Sequence, residues 1–407
     1  MSEQPRKKIV ILGGGMASLT TAFELTNQPD WKEKYEITVY QMGWRLGGKG
    51  ASGRNLNAQA RIEEHGLHIL MGWYENTFSV LRQCYEELGR PADSPLATWQ
   101  DAFKPHSFIA STEYINGQWM PWPYDFPVNH LLPGETLEFP TVCGYVGILI
   151  EFIIEQFKSE FHLPSKLFAE EEFTLSGIPD WLVSLLAENN IDLNIPDLPR
   201  EAAFVYIARQ LFQALPENPA LHQEQEYQAL LWLLGEFRTW LWNNVENIIG
   251  THHKFRRFWI RVDWTYTLIR GIILDNLIVK GFSSIDDYDF QEWLRKHGAA
   301  ESTINSVIVR SLYDLVFGYE NGALNQPNLA AGVALRCFLR MTLSYKGALF
   351  WKMQAGMGDT IFVPFYEVLK QRGVEFKFFH RIKNLGLSQD TQKIVSIRLI
   401  LNINSMR

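Results

Sequence analysis

The sequence predicts an α/β protein: a Rossmann-like nucleotide-binding domain built on a parallel sheet, joined to an α+β domain that is largely helical. Three observations predict it. Residues 8–25 read as a buried strand, a glycine turn and the opening of a helix. Residues 36–40 form a second short extended run. From residue 139 to about residue 281 the character shifts to helices. A length of 407 residues allows two domains that each bury a core.

Ile9, Val10, Ile11 and Leu12 make an apolar run of the kind covered on both faces in a parallel sheet. Gly13 and Gly15 then let the chain turn tightly and bring bare backbone against a ligand. Leu19, Ala22, Phe23 and Leu25 supply the sheet-facing side of the next helix. Main-chain amides around the turn, from Gly13 through Gly15, Met16 and Ala17 to Ser18, face whatever lies over it, and the helix N-terminus favours a pyrophosphate there. The spacing follows the dinucleotide fingerprint, with Ser18 in place of the third glycine. The acid expected about 20 residues on, to hold a ribose, is replaced by Gln41, whose amide can still bond a hydroxyl without charge assistance. Taken alone, this pattern also fits a glycine-rich turn in an unrelated α/β domain.

The following residues narrow the choice. Arg45-Leu46-Gly47-Gly48-Lys49 places a second glycine pair between two cations, which can wrap and neutralise a diphosphate from its other side. Further on lies Glu63-Glu64-His65-Gly66-Leu67-His68. The combination resembles the FAD-binding N-terminus of the amine oxidase and carotenoid desaturase superfamily of flavoproteins. Residues 64–76 look most like the phytoene and ζ-carotene desaturase branch. The resemblance implies FAD as cofactor and an FAD-binding domain whose N-terminal part is residues 1–89. It also implies backbone of Gly66, Leu67 and His68 beside the flavin. His65 or His68 could tune the flavin or bond its carbonyl edge, or simply tie the loop to a neighbouring group. Glu63 and Glu64 admit a ribose contact or a loop-structuring bond.

Residues 76–88 form an amphipathic helix with Phe78, Leu81, Tyr85 and Leu88 on one side and a stop at Gly89. The substrate domain is expected over residues 90–345. It opens with extended runs at 103–110 and 114–120 around an Asn116-Gly117 hairpin, and Pro121, Pro123 and Pro127 exclude a helix thereafter. Residues 142–157 are nearly continuously apolar but interrupted by Glu151 and Glu155, giving a buried helix too short and too acidic to span a bilayer. Residues 165–199, rich in prolines and acids, read as a surface excursion. Helices follow at 201–214 and 225–249. In residues 252–261 cations interleave with aromatics, which suits a solvated helix with its apolar side turned inward or, alternatively, lipid headgroups. His252 and His253 are adjacent and face different ways, so they are not read as a metal pair.

A short Trp-Leu helix is expected within 287–298, resembling carotenoid desaturases, then a helix through Val316 and another over 330–343. Residues 346–407 return to the FAD-binding domain. Gly356-Met357-Gly358 resembles the superfamily's turn before a helix (360–372) and a strand (374–380). Just beyond, the N–H and C=O of Ile382 match the position that meets adenine in relatives. The last expected strand is 393–401. Relatives continue into a segment that carries a Gly-Asp motif at the flavin end, which Gly358-Asp359 does not match. A chain truncated relative to the superfamily is therefore expected, with a separate partner chain as one source of that segment.

A net charge of −7 argues against a nucleic-acid partner. Cys84, Cys143 and Cys337 are widely spaced, which suits a reducing compartment rather than disulfides or a metal cluster. The basic start (Arg6, Lys7, Lys8) precedes an apolar stretch too short for a signal peptide, so a cytoplasmic location is expected, with peripheral membrane contact as an alternative. The 14 Trp, 15 Tyr and 26 Phe suit either a large aromatic core or a long apolar cavity. Three functions fit: an FAD-dependent oxidoreductase acting on an apolar polyene or isoprenoid, an amine oxidase-like flavoenzyme, and a truncated non-catalytic homologue or half of a complex. No catalytic acid or base can be assigned from spacing.

Overall fold

The computed structural model describes residues 6–66, 68–115, 117–136, 138–160, 176–193, 198–390 and 392–401. In chain order it runs β1 (Lys7–Leu12), α1 (Met16–Thr26), β2 (Tyr35–Tyr40), β3 (Gly53–Asn55), β4 (Arg61–Glu63), β5 (Leu70–Met71), α2 (Glu75–Leu88) and β6 (Phe103–His106). The hairpin β7 (Phe108–Ile115) and β8 (Gln118–Asp125) follows. Next come α3 (Val142–Glu160), α4 (Asp180–Glu188), α5 (Arg200–Ala214), α6 (Glu224–Val245), α7 (His253–Leu274), α8 (Phe290–Lys296), α9 (Val307–Val316) and α10 (Ala331–Leu343). The chain closes with β9 (Phe350–Met353), α11 (Val363–Arg372), β10 (Glu375–Lys377), β11 (His380–Leu387) and β12 (Ile394–Leu401).

Two units emerge. The first contains residues 1–108, 125–137 and 345–407, the second 109–124 and 138–344. Residues 90–108 fall in the first because β6 pairs with β9, and residues 125–137 because the Asn129 amide donates to the Gly347 carbonyl at 2.9 Å.

In the first unit, β1, β2 and β10 form a parallel sheet with β2 in the middle. Ile37 and Val39 are fully covered there, as a central strand requires. β1 departs from expectation. It was expected to be buried on both faces, yet none of its residues is fully buried and Val10 is 41% exposed. The cause is its place at the sheet edge: among the described residues β2 is its one strand neighbour. The apolar side of α1 (Leu19, Ala22, Phe23) packs on α11, where the Phe23 and Phe365 rings meet edge to face at 5.8 Å. α2 joins the same core through Phe78, Leu81 and Tyr85, and Gly89 in the left-handed conformation ends it as read from sequence. The Tyr85 hydroxyl donates to the Thr360 carbonyl at 2.9 Å, fastening the segment before α11.

The second unit is helical around α7, whose Phe258, Trp259, Ile260, Val262, Trp264 and Leu268 are buried. Asp263, buried on α7, accepts from Arg238 Nε at 2.6 Å and from the Ala300 amide at 2.9 Å, so its charge is paired. Trp122, Trp264 and Trp293 belong to this core. Asn116 of the expected hairpin lies outside the described residues, but the strands flank it and Gly117 has φ +80°. Pro121 and Pro123 are accommodated inside β8, two residues apart in a two-stranded ribbon where every second N–H faces away from the partner. Part of the expected surface excursion is instead the helix α4, because Leu182, Leu185 and Leu186 recur at helical spacing and are buried. The basic-aromatic stretch turns two cations onto the hairpin: Arg256 reaches Glu113 at 2.8 Å and Arg257 the Pro121 carbonyl at 3.1 Å. Among the described residues no helix is long and apolar enough to cross a membrane.

Candidate nucleotide cradle

Three turns of the first unit converge. At the end of β1 the Gly13 amide donates to the Tyr40 carbonyl at 2.8 Å, and Gly13 takes φ +102°, the left-handed region that glycine enters freely. The second glycine loop docks on the first through backbone alone: the Gly47 amide donates to the Gly14 carbonyl at 2.7 Å, with Gly15 bridged to Gly47. A Cβ on Gly47 would lie 2.7 Å from the Phe362 ring, so this loop is seated between the turn and the segment before α11.

Gly15 caps α1 in extended backbone, with no side chain bonded to the first turn and no acidic residue in it. The positive end of the helix is therefore unopposed by the protein. A Cβ built on Gly15 meets no heavy atom within 4 Å, so the space beside Gly15 at the start of α1 is open. Lys49 stands exposed on the turn Gly48–Gly50. Arg45 is exposed, lies over the Trp44 ring at 5.0 Å and donates to the Ser52 carbonyl at 3.0 Å. An uncapped helix start, bare glycine backbone and two cations suit the pyrophosphate of a dinucleotide.

Gln41, the residue expected to meet a ribose, is bonded within the protein through both polar atoms of its side chain. Its Oε1 accepts the Gly14 amide at 2.8 Å and its Nε2 donates to the Arg45 carbonyl at 2.8 Å, so the side chain clamps the two glycine loops together. Ile382 sits in β11 opposite Leu399, beside a register shift, and is 40% exposed. The backbone that meets the end of β2 comes slightly earlier: the Gln41 amide donates to the Lys377 carbonyl at 2.9 Å, and the His380 amide to the Gln41 carbonyl at 2.9 Å.

Gly66 is exposed with open space where a Cβ would go, Leu67 lies outside the described residues, and His68 is half-buried. Sequence reasoning noted Glu64 but missed what it joins. Glu64 Oε1 accepts the Ser52 hydroxyl at 2.5 Å and the Met357 amide at 2.7 Å, while Oε2 faces His68 Nδ1 at 3.1 Å. The Gly358 amide donates to Ser52 Oγ at 2.8 Å, and Arg54 pairs with Asp359 at 2.6 Å. Burial pushes the Glu64 carboxyl up, but bonds from Ser52, the Met357 amide and His68 outweigh it and hold the group below its ordinary value. Gly356 and Gly358 explain the close fit, since a Cβ on Gly356 would stand 2.8 Å from Ser52 Oγ. The available signal was the Gly356-Met357-Gly358 turn, whose exposed amides need acceptors. Glu63 bonds Asn55 at 2.8 Å, so both acids structure the loop.

Residues 11–84 match the family model of an NAD(P)-binding Rossmann-like domain. The chain is 33% identical over 79 residues to the chloroplastic/chromoplastic zeta-carotene desaturase of Solanum lycopersicum, a stretch that covers 19% of this chain and 12% of that protein. The Zea mays protein of the same name is 33% identical over 79 residues (19% and 13%), and that of Capsicum annuum 32% over 79 residues (19% and 12%). The match thus spans about an eighth of the relatives' own length. The α/β class, with a Rossmann-like domain, a parallel sheet and a largely helical remainder, stands.

Proposed function

We propose that this chain is an FAD-dependent oxidoreductase that desaturates or oxidises an apolar polyene or isoprenoid. The observation that carries the proposal is the docking of Gly47 and Gly48 onto Gly14 and Gly15 beside an uncapped helix start, in the region that is similar to zeta-carotene desaturases. Amides of Gly15, Met16, Ala17 and Ser18 hold the pyrophosphate, while Gly13 shapes the turn. Arg45 and Lys49 neutralise it from the second loop, and Gly48 leaves room for close approach. Backbone of Gly66 and His68 would lie beside the flavin ring, and the chain from Lys377 to Ile382 would lie beside the adenine. When bound, the flavin supplies the hydride acceptor, at N5, for a substrate C–H bond. The edge of β1, which has β2 as its one strand neighbour among the described residues, and the exposed apolar Leu387, Val395 and Leu401 on β11 and β12 support contact with a partner segment.

The test is anaerobic. Protein loaded with FAD is mixed with a carotene in detergent micelles or with a primary amine, and flavin absorbance is followed. Bleaching by the carotene and not by the amine supports the proposal. Bleaching by the amine alone transfers the chain to amine oxidation, and stable absorbance with both overturns catalysis by this chain.

A further inference from the structure

The bonds at Glu64 have a fixed direction. Main-chain amides only donate, so the Gly358 N–H, 2.8 Å from Ser52 Oγ, makes that oxygen the acceptor and leaves the hydroxyl proton for Glu64 Oε1. The Met357 N–H donates to the same Oε1 at 2.7 Å. Oε1 is therefore an acceptor twice over, and Oε2 is left for His68 Nδ1 at 3.1 Å. An ionised carboxylate has no proton to give, so the hydrogen in this last bond belongs to the imidazole. Among the described residues His68 Nε2 has no hydrogen-bond partner.

We propose that Glu64 is a positioning residue, which together with Ser52 and the Met357–Gly358 amides keeps a hydrogen on His68 Nδ1, so that whenever the ring is neutral it is the Nδ1–H tautomer and Nε2 is a lone-pair acceptor for a bound molecule. On the flavoenzyme reading, on which this use rests, the consequence is specific. A neutral ring held this way cannot donate to the flavin carbonyls; it accepts from an N–H of the isoalloxazine edge. The tautomer itself is a property of the protein alone.

The experiment is 15N NMR of histidine-labelled protein without cofactor, at a pH where the ring is neutral, with His68 assigned by its loss in His68→Gln. The wild type is expected to show a pyrrole-type Nδ1 and a pyridine-type Nε2. In Glu64→Gln the two donors still require an oxygen at Oε1, so the amide NH2 takes the Oε2 place and aims at Nδ1. The pattern is then expected to invert to Nε2–H. Ser52→Ala, which leaves the Met357 amide and the carboxylate in place, is expected to keep the wild-type pattern. A wild-type ring with Nε2–H, or an unchanged pattern in a folded Glu64→Gln, overturns the proposal; should that variant not fold, the wild-type spectrum decides. A separate titration with FAD keeps the two ideas apart: its failure removes the flavin contact and leaves the tautomer standing.

Discussion

Replacing Gln41 by Glu separates the clamp from a ribose contact. The side-chain amide holds the Gly14 N–H on Oε1 and the Arg45 carbonyl on Nε2, both at 2.8 Å. In Gln41→Glu a carboxylate oxygen takes the Nε2 position and faces the Arg45 carbonyl without a proton between them. The lost bond is worth about 0.5–1.5 kcal/mol, and an unsatisfied carbonyl opposite an anion costs about 1–3 kcal/mol. The Gly14 amide gains a charge-assisted acceptor and the start of α1 an anion, together offsetting about 1 kcal/mol. The net is a loss of about 0.5–3.5 kcal/mol, read by differential scanning calorimetry as a lower Tm, at about 2–4 °C per kcal/mol for a unit of this size. The new charge also stands beside the proposed pyrophosphate site. Like charges near contact in water cost about 1 kcal/mol, so FAD affinity is expected to fall about five-fold by fluorescence titration. A ribose-binding residue gives the opposite sign. Tighter FAD binding with an unchanged Tm would refute the clamp.

Other perturbations follow from the same geometry. Gly47→Ala puts a Cβ 2.7 Å from the Phe362 ring on a backbone at φ +115°, so urea unfolding should show a loss of roughly 2–5 kcal/mol, the sum of left-handed strain and overpacking. Lys49→Ala removes an exposed cation and should leave the Tm unchanged while weakening FAD binding several-fold at low salt and less at high salt, because screening already removes much of the effect there. His297 is buried, which pulls its imidazole below the usual 6.5 despite the opposing Asp275 contact at 2.9 Å. Its folded value is the lower one, so the stability it contributes is present above the unfolded value and is lost as pH falls through 6.5 toward the folded one. The Tm of wild type should therefore drop between about pH 7 and about pH 5 more steeply than that of His297→Gln. Equal slopes would remove His297 from the acid response.

The local parts of the fold were legible because their causes are local. Gly13 and Gly15 announce the turn, the spacing of Leu19, Ala22 and Phe23 announces the buried side of α1, and Gly89 announces the end of α2. What stayed hidden depends on partners far along the chain. The apolar run of β1 predicts burial, but edge or centre is decided by where β10 pairs, and it joins β2 instead. Gln41 is a polar residue at the end of a strand, and its bonds to the Gly14 amide and the Arg45 carbonyl depend on how the second glycine loop folds back. Glu64 could not be read as a hub because Met357, which bonds it, and Gly358, which bonds the Ser52 hydroxyl oxygen beside it, come from the far end of the unit. In α4 the flanking acids and prolines signal a surface segment, but burial follows Leu182, Leu185 and Leu186 at helical spacing.

Calorimetric titration of the purified chain with FAD, run beside Gly15→Val, bears most directly on the cradle. A Cβ at Gly15 meets nothing in the protein and the backbone there is extended, so the variant should keep the wild-type Tm while its side chain fills the space over the first amides of α1. Saturable uptake at one site by wild type, abolished in Gly15→Val, is the predicted result. No uptake by wild type, or equal uptake by both proteins, would contradict it.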